Sequence, residues 1–274
     1  MNPGVYLDMP GSEFAAIPAL SASFLRDMLA TTPAKAKALK EQGRPDSPAK
    51  SFGRQLHCCV LEPERFEREI AVMPEFKGKG ARSLQAEWEL RNAGRIQVKP
   101  KVLEQLLAMR DAVMKHPKAR EMFAANGANE VSAVWDDPLG MRCKVRWDRI
   151  YSEWNLSQLD LKSTRNAEEG FFRYDVKQYG YDVEACLYSR ALDVLHGAMH
   201  RPFYFIACEK IAPFRVEIYE LTRSERILGN QRMEVAMRAY AESVRSGIWS
   251  DRPLFSVEQS SEAKESPVQI SRVS

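Results

Sequence analysis

Three charged residues, Asp148, Asp160 and Lys162, are the best candidates for chemistry in this sequence of 274 residues. Two carboxylates that lie close together repel each other, and a bound cation relieves that repulsion. Carboxylate oxygens are ligands of hard ions such as Mg²⁺. Such an ion stabilises charge that develops on a phosphate and makes water easier to deprotonate. A neighbouring lysine can orient the attacking water, so this pattern predicts metal-dependent cleavage of a phosphodiester.

Both segments that carry these residues have the alternation of a β-strand. In residues 141–148, four apolar side chains alternate with four charged ones. In residues 158–162, the period of two places Asp160 and Lys162 on the same face. If the two strands pair, Asp148 lies beside Asp160. Asp-x-Lys is common by chance, and taken alone the pattern more often marks a solvated strand with a surface ion pair.

The surrounding elements predict a sheet flanked by helices. A turn at 136–140 joins a strand at 130–135 to the first segment, and Glu130 at its start can face the same cleft. Downstream we expect a helix over 171–198 with a break near Gly180, a strand pair at 202–208 and 214–219, and a last helix ending near 246. Apolar spacing and capping residues predict further helices at 23–29, 34–40, 52–61, 86–93, 101–115 and 117–125.

Composition limits the class of protein. The chain is 45% hydrophobic and 28% charged with a net charge of +3, so a basic surface must be local. No apolar run approaches the roughly 18 residues of a membrane span, and the N-terminus lacks the order of a signal peptide. The five cysteines then predict buried free thiols in a cytoplasmic protein. The polar composition of residues 256–274 predicts a mobile tail.

One glycine-rich basic segment, residues 76–82, has two interpretations. Its lysines, Lys77 and Lys79, suit contacts with DNA phosphates in a flexible loop. A solvated loop without a binding role explains the same composition.

Four segments together resemble a known family. They are GVYLDMPGSEFAAIPALSASFLRDMLATTPA, FGRQLHCCVLEPERF, EVSAVWDDPLGMRCKVRWDRI, and LDLKST with the tyrosine-rich helix that follows. In this order and at similar spacing they resemble the C-terminal nuclease domain of RecE-type exodeoxyribonuclease VIII proteins, within the PD-(D/E)xK, RecB-like superfamily. The second segment is the most specific of the four.

The resemblance implies roles for individual residues. His57, Asp148 and Asp160 correspond to metal ligands, with the backbone carbonyl of Leu161 as a further ligand. Lys162, Asp160, Asp148 and Glu130 correspond to the catalytic set, in which Glu130 supports a second ion or a water. Residues with DNA-binding or supporting roles would be Glu184, Tyr188, Lys77, Lys79 and Arg146.

This sequence departs from the family pattern at two positions. Trp147 stands where the superfamily pattern has proline, and that position varies. In the helix after the motif, the family pattern is Gln-x-x-x-Tyr, and here Tyr188 is present while Glu184 replaces the glutamine. A carboxylate at this position could bind metal, but it would repel phosphate unless it is neutralised.

The resemblance also implies a fold and an activity. The fold is α/β, a PD-(D/E)xK restriction-endonuclease-like core with a central mixed β-sheet flanked by helices and an N-terminal helical extension. Residues 1–255 would form one domain, with a largely helical part over 1–125 and the core sheet over 126–255.

The implied activity is 5′-to-3′ digestion of double-stranded DNA ends, dependent on one or two Mg²⁺ ions, with Mn²⁺ as a substitute. The 3′ single strands left behind would serve a single-strand annealing recombinase in a phage or prophage setting, within the bacterial cytoplasm. A ring-shaped trimer or tetramer around DNA is also implied.

Three alternatives stay open at this point. An iron–sulfur nuclease of the CRISPR-associated or AddB type would need clustered cysteines near the C-terminus, and the last cysteine here is Cys208. A catalytically silent DNA-binding or assembly module would explain Glu184. An α/β domain with an ordinary charged surface would show no change beyond stability when Asp160 is replaced.

Overall fold

A seven-stranded sheet with helices on both faces forms the body of the protein. The computed structural model describes residues 1–43, 47–152, 157–197, 201–255 and 270–273. The helices of these ranges are α1 Gly11–Ala16, α2 Ala22–Ala30, α3 Pro33–Glu41, α4 Pro48–Leu61, α5 Pro63–Glu69, α6 Ala81–Arg91, α7 Pro100–Lys115, α8 Pro117–Ala124, α9 Glu169–Tyr179, α10 Tyr181–His196 and α11 Arg223–Ser246. The strands are β1 Gly4–Tyr6, β2 Ile70–Val72, β3 Ile96–Val98, β4 Gly127–Asp137, β5 Met141–Tyr151, β6 Gln158–Thr164, β7 Phe203–Glu209, β8 Val216–Leu221 and β9 Ile270–Arg272.

The sheet is mixed, which confirms the predicted fold class. Its strand order is β1-β4-β5-β6-β7-β8-β9, and β2 pairs with β3 in a separate two-stranded sheet. Within the large sheet, β6 and β7 are parallel, and the other neighbouring strands are antiparallel. The helices α9 and α10 connect β6 to β7, as a parallel connection requires. The strand β6, which carries the Asp-x-Lys pattern, is therefore central.

The two faces of β6 meet different helices. Leu159 and Leu161 pack into one apolar cluster with side chains of α4 and α7. On the opposite face, Lys162 contacts Glu184 of α10. Because successive side chains of a strand point to opposite faces, one short segment reaches both helical layers. This arrangement brings α4 and α10 to the same strand from opposite sides.

Two helix starts differ from the sequence-based expectation. Helix α4 begins at Pro48 rather than 52, because Ser47 caps it by accepting a hydrogen bond from the backbone N–H of Lys50 at 3.3 Å. Proline at the first helical position suits such a start. Helix α6 begins at Ala81 rather than 86, directly after Gly80 in the left-handed conformation. In both cases a Pro- or Gly-containing segment that suggests a loop forms the start of a helix.

The end of the chain also differs from the expected mobile tail. Residues 256–269 and 274 lie outside the described residues. Ile270–Arg272, however, forms β9, which pairs with β8 at the edge of the sheet. The Arg272 guanidinium lies 2.6 Å from the buried carboxylate of Glu217. Backbone pairing and this ion pair together hold the segment against the sheet.

Two further expectations concern membranes and thiols. Among the described residues, every helix is too short or too polar to cross a bilayer. The five cysteines are buried thiols, as the sequence predicts. Burial raises the pKa of each of them above the ordinary value, so these thiols are poor nucleophiles.

Adjacent aspartates at the end of β4 give a matched test of buried and exposed charge. The Asp137 side chain is fully buried and accepts from Arg190 at 2.6 and 2.9 Å, whereas Asp136 pairs with Arg142 on the surface. We expect Asp137→Asn to lower the free energy of unfolding by about 2–4 kcal/mol, because Arg190 loses its counter-ion. Asp136→Asn is the control and should change it little. Urea denaturation measures both.

The Asp137–Arg190 ion pair also predicts that the stability of the fold depends on pH. Burial alone would raise the pKa of Asp137, but the hydrogen bonds from Arg190, Leu139 and Trp135 lower it below its ordinary value. A carboxyl group whose pKa is lower in the folded state stabilises the fold above its unfolded pKa and loses that effect as the pH falls. The stability gap between wild type and Asp137→Asn should therefore be full at neutral pH and shrink below about pH 4. A gap that is constant with pH would contradict this.

Candidate active site

The regular alternation of β4 and β5 breaks at Glu130 and Asp148. Trp147 and Ile150 are three residues apart, yet both pack into the same core cluster. The register passes from Asn129↔Arg149 to Val131↔Trp147, and Glu130 between them has φ +53°. That left-handed conformation costs a non-glycine residue about 1–3 kcal/mol and is concentrated at functional sites. The regular strand pairing is thus interrupted at Glu130 and Asp148, which lie opposite each other and beside α4.

His57 of α4 meets these acids and the backbone of β6. Its Nε2 lies 2.7 Å from the carbonyl oxygen of Leu161, and its Nδ1 lies 3.3 Å from Asp148 Oδ1. The other oxygen of Asp148 accepts a hydrogen bond of 2.7 Å from the N–H of Leu161. One ligand atom from each of His57, Glu130 and Asp148 lies within 4.8 Å of the others. Three separate elements therefore direct oxygen and nitrogen donors to one point.

Beside this point, a line of alternating charges runs through the interior. Asp160 Oδ2 lies 2.6 Å from Lys162 Nζ, which in turn lies 3.2 Å from Glu184 Oε1. The second oxygen of Glu184 lies 2.5 Å from the guanidinium of Arg26 in α2. The ring of Tyr181 faces Lys162 Nζ at 4.5 Å. The charge of Glu184 is thus neutralised from both sides.

The electrostatics around His57 favour a bound cation. Burial disfavours the charged imidazole, but the carboxylates of Asp148, Glu130 and Asp160 outweigh it and raise the pKa of His57 to about 9. For Asp148, burial raises the pKa, and the charge of His57 with the hydrogen bonds lowers it below the ordinary value. Burial and the nearby Asp148 raise the pKa of Glu130. Without a metal ion, His57 is therefore protonated at neutral pH, and its positive charge balances the carboxylates. A bound metal ion would take over this balancing charge.

Opposing contributions from burial and from charged neighbours also set the pKa values of Asp160, Lys162 and Glu184. Burial raises the pKa of Asp160 to about 7, with further contributions from the charges of Asp148 and Glu184, against the opposing effect of Lys162. Burial also opposes the charges of Lys162 and Glu184. Their mutual attraction, with Asp160 and Arg26, nevertheless holds the pKa of Lys162 well above its ordinary value and that of Glu184 below its own. Lys162 therefore stays charged at neutral pH.

The donor set fits a divalent cation. Carboxylate oxygen and backbone carbonyl are ligands of the magnesium and manganese type, whereas imidazole nitrogen is more typical of softer ions such as Zn²⁺ or Fe²⁺. The 2.7 Å between His57 Nε2 and Leu161 O is a hydrogen-bond distance, so these two donor atoms already lie next to each other beside Asp148. Asp160 Oδ2 is buried and makes no hydrogen bond of good geometry, so it retains acceptor capacity. His57, Glu130, Asp148 and Leu161 O lie together and would hold the ion. Asp160 is outside that group of ligand atoms and pairs with Lys162, so its role as a ligand stays a prediction.

The remaining residues predicted for the site have different locations. Arg146 lies at the edge of the site. The Arg146 Nε contacts Glu130 at 2.6 Å, and the Arg146 Nη1 donates a hydrogen bond to Met9 O at 2.9 Å. Tyr188 packs behind the site, with its ring against Trp147 and Phe203. Lys77 pairs with Glu75 in an exposed loop. Among the described contacts, none joins Lys77 or Lys79 to Glu130, Asp148 or Asp160, and the DNA-binding role of both lysines stays a prediction.

Two residues of the site were not anticipated from the sequence. Arg26 reaches Glu184 across 158 positions of the chain, and no local pattern in α2 distinguishes it. Tyr181 lies one turn before Glu184 on α10, but its spacing is equally that of a core residue. The sequence offers one signal for Arg26. A carboxylate at position 184, on the helix behind the site, requires a cation nearby when it is buried.

Fold and site geometry together define a PD-(D/E)xK nuclease-type domain. Residues 21–252 match the family model described as "PDDEXK-like domain of unknown function (DUF3799)". The chain belongs to that family. The match includes His57, the Asp-x-Lys strand and α10, so the whole site lies within the family domain.

The comparison with solved structures agrees on the fold. The chain is similar to the crystal structure of a proposed exonuclease from Eubacterium rectale, with a TM-score of 0.61 over 88% of each chain. Sequence identity is 13%, so the likeness concerns the fold alone. No curated protein sequence matches this chain.

Proposed function

We propose that this protein is a divalent-metal-dependent deoxyribonuclease. The observation that carries the proposal is the convergence of His57, Asp148 and the Leu161 carbonyl on one point, with Lys162 next to Asp160. Membership of a PDDEXK-like family supports the same chemistry. The neutralised state of Glu184 removes the main objection from sequence, namely that its charge would repel a phosphate.

The chain's own residues have separable tasks. His57, Glu130, Asp148 and the Leu161 carbonyl would hold the ion, with Asp160 as a proposed further ligand, and the ion when bound supplies a Lewis acid for the phosphate. Lys162 remains protonated and can orient the attacking water or offset charge on the phosphate. Glu184 and Tyr181 hold the Lys162 ammonium in place. Glu130, fixed by Arg146, can also position a water or a second ion.

The finer assignment is an exonuclease acting on double-stranded DNA ends in the 5′-to-3′ direction with Mg²⁺. It draws on the resemblance to RecE-type nucleases and on the similarity to the proposed exonuclease of Eubacterium rectale. A ring-shaped trimer or tetramer, a single-strand annealing partner and a recombination role in the bacterial cytoplasm belong to the same proposal. Base specificity is not expected, because phosphate contacts carry no sequence information.

Digestion of end-labelled DNA tests the proposal. Linear duplex labelled at the 5′ or 3′ end, and the same DNA as a covalently closed circle, are incubated with Mg²⁺, Mn²⁺, Ca²⁺ or chelator. We expect Mg²⁺- or Mn²⁺-dependent release of the 5′ label first and an intact circle. Cleavage of the circle would make the protein an endonuclease. Retained duplex binding without cleavage in any metal would instead identify a silent DNA-binding module.

A further inference from the structure

Gly53 lies in the interior of α4, four residues before His57. Residues four apart share one face of a helix, and their Cα atoms are separated by about 6 Å of helix rise. Gly53 therefore lies one turn from the candidate metal site, on the flank that carries His57. Glycine is markedly less favourable than alanine inside a helix, so its presence here needs a reason.

The protein's own packing does not supply that reason. Gly53 is not among the glycines with positive φ. A Cβ atom built on it meets no described atom within 4 Å. Gly229 of α11 shows the contrast, because a Cβ there would lie 2.8 Å from Cys186 Sγ and 3.0 Å from Asp182 O. Close packing between helices explains Gly229, whereas among the described residues no atom lies above Gly53.

Two cations share this face of α4. Lys50 precedes His57 by seven residues and Arg54 precedes it by three, so both fall on the flank of α4 that ends at His57. Both side chains are exposed. A half-buried stretch of backbone without a side chain, next to two cations and one turn from the candidate metal site, suits the close approach of an anionic polymer.

We propose that the DNA sugar–phosphate backbone lies against α4 at Gly53. The phosphate next to the one being cleaved then lies beside Lys50 and Arg54, and the missing side chain allows it to approach the helix. This proposal rests on the nuclease function and assigns to that site a second phosphate position, which orients the strand relative to the metal. Gly53 is in this sense a positioning residue.

The substitution Gly53→Ala separates this role from a structural one. Alanine should stabilise α4 and raise the melting midpoint by about 2–4 °C. Its methyl group should weaken binding of linear duplex DNA about tenfold, measured by fluorescence anisotropy in Ca²⁺. Hydrolysis of bis(4-nitrophenyl) phosphate in Mn²⁺ should stay at the wild-type rate, because this substrate has no neighbouring phosphate. Gly170→Ala is the control, since a Cβ at Gly170 in α9 also meets no described atom.

The outcomes distinguish the two proposals. Wild-type affinity of Gly53→Ala for duplex would overturn the role of Gly53, whether or not the protein cleaves DNA. Equal weakening of duplex binding by Gly170→Ala would overturn it as well. Loss of small-substrate hydrolysis together with DNA binding would show that the methyl group disturbs His57 instead. Absence of cleavage by the wild type, with binding still sensitive to Gly53→Ala, would overturn only the nuclease function.

Discussion

Asp148→Asn is expected to lower the rate of DNA cleavage at least about a thousandfold, a loss of several kcal/mol in transition-state stabilisation. Asp148 is the residue that links His57 to β6, through contacts of 3.3 Å to Nδ1 and 2.7 Å to the N–H of Leu161. Asparagine keeps the shape and can still accept from Leu161, but it removes the negative charge that faces His57. The variant should therefore fold and fail to hold a divalent ion.

Two readouts check this prediction. The cleavage rate is measured with Mn²⁺ in excess, and the melting midpoint is measured with and without Mn²⁺, because a ligand that binds the native state raises it. Mn²⁺ should raise the melting midpoint of the wild type and not that of Asp148→Asn, whatever the difference between the two proteins in chelator. The exposed Asp136→Asn, from the neighbouring strand, should behave as wild type. Normal cleavage by Asp148→Asn would remove this carboxylate from the mechanism.

The sequence predicted the part of the site that depends on local pattern. The period of two in 141–148 and 158–162 placed Asp148, Asp160 and Lys162 on strands, and both strands are present in the sheet. Among the described residues, the register joins them at Arg149↔Leu159 and Ile150↔Gln158 and stops before Asp148 and Asp160, so the strands separate where the acids lie. The side chain of Asp148 fills that gap by accepting from Leu161 N–H.

Other parts depend on contacts that no local pattern encodes. His57 was assigned from a family resemblance, since a single histidine on a mostly apolar helix is ordinarily a core residue. The break in alternation at Glu130 could not be read from sequence, because a left-handed glutamate in a strand has no compositional mark. Arg26 and Glu184 meet only after α2 and α10 pack on the same face of the sheet. Such long-range ion pairs form only when the fold brings the two helices together, so no local sequence pattern predicts them.

The pairing of Arg26 with Glu184 has a large expected effect of its own. Arg26→Met keeps the apolar stem, which packs close to Gly180, and removes the charge. The buried carboxylates of Asp160 and Glu184 then share the single cation of Lys162. Leaving a buried charge without its partner costs about 3–5 kcal/mol. We expect the free energy of unfolding to fall by about that amount and cleavage to fall with it, because Glu184 and Asp160 now compete for Lys162.

Adding Glu184→Gln should reverse most of this loss, since the uncharged amide needs no cation and restores the residue of the family pattern. Urea denaturation and cleavage rates of the wild type, both single variants and the double variant form a double-mutant cycle. A coupling of about 2 kcal/mol or more identifies Arg26 as the counter-ion that allows a carboxylate at position 184. If Arg26→Met is equally destabilising in both backgrounds, the effects add, and Arg26 contributes through its packing on Gly180 rather than through its charge. Glu184→Gln alone should remain folded and active, because its amide oxygen can still accept from Lys162 and Arg26.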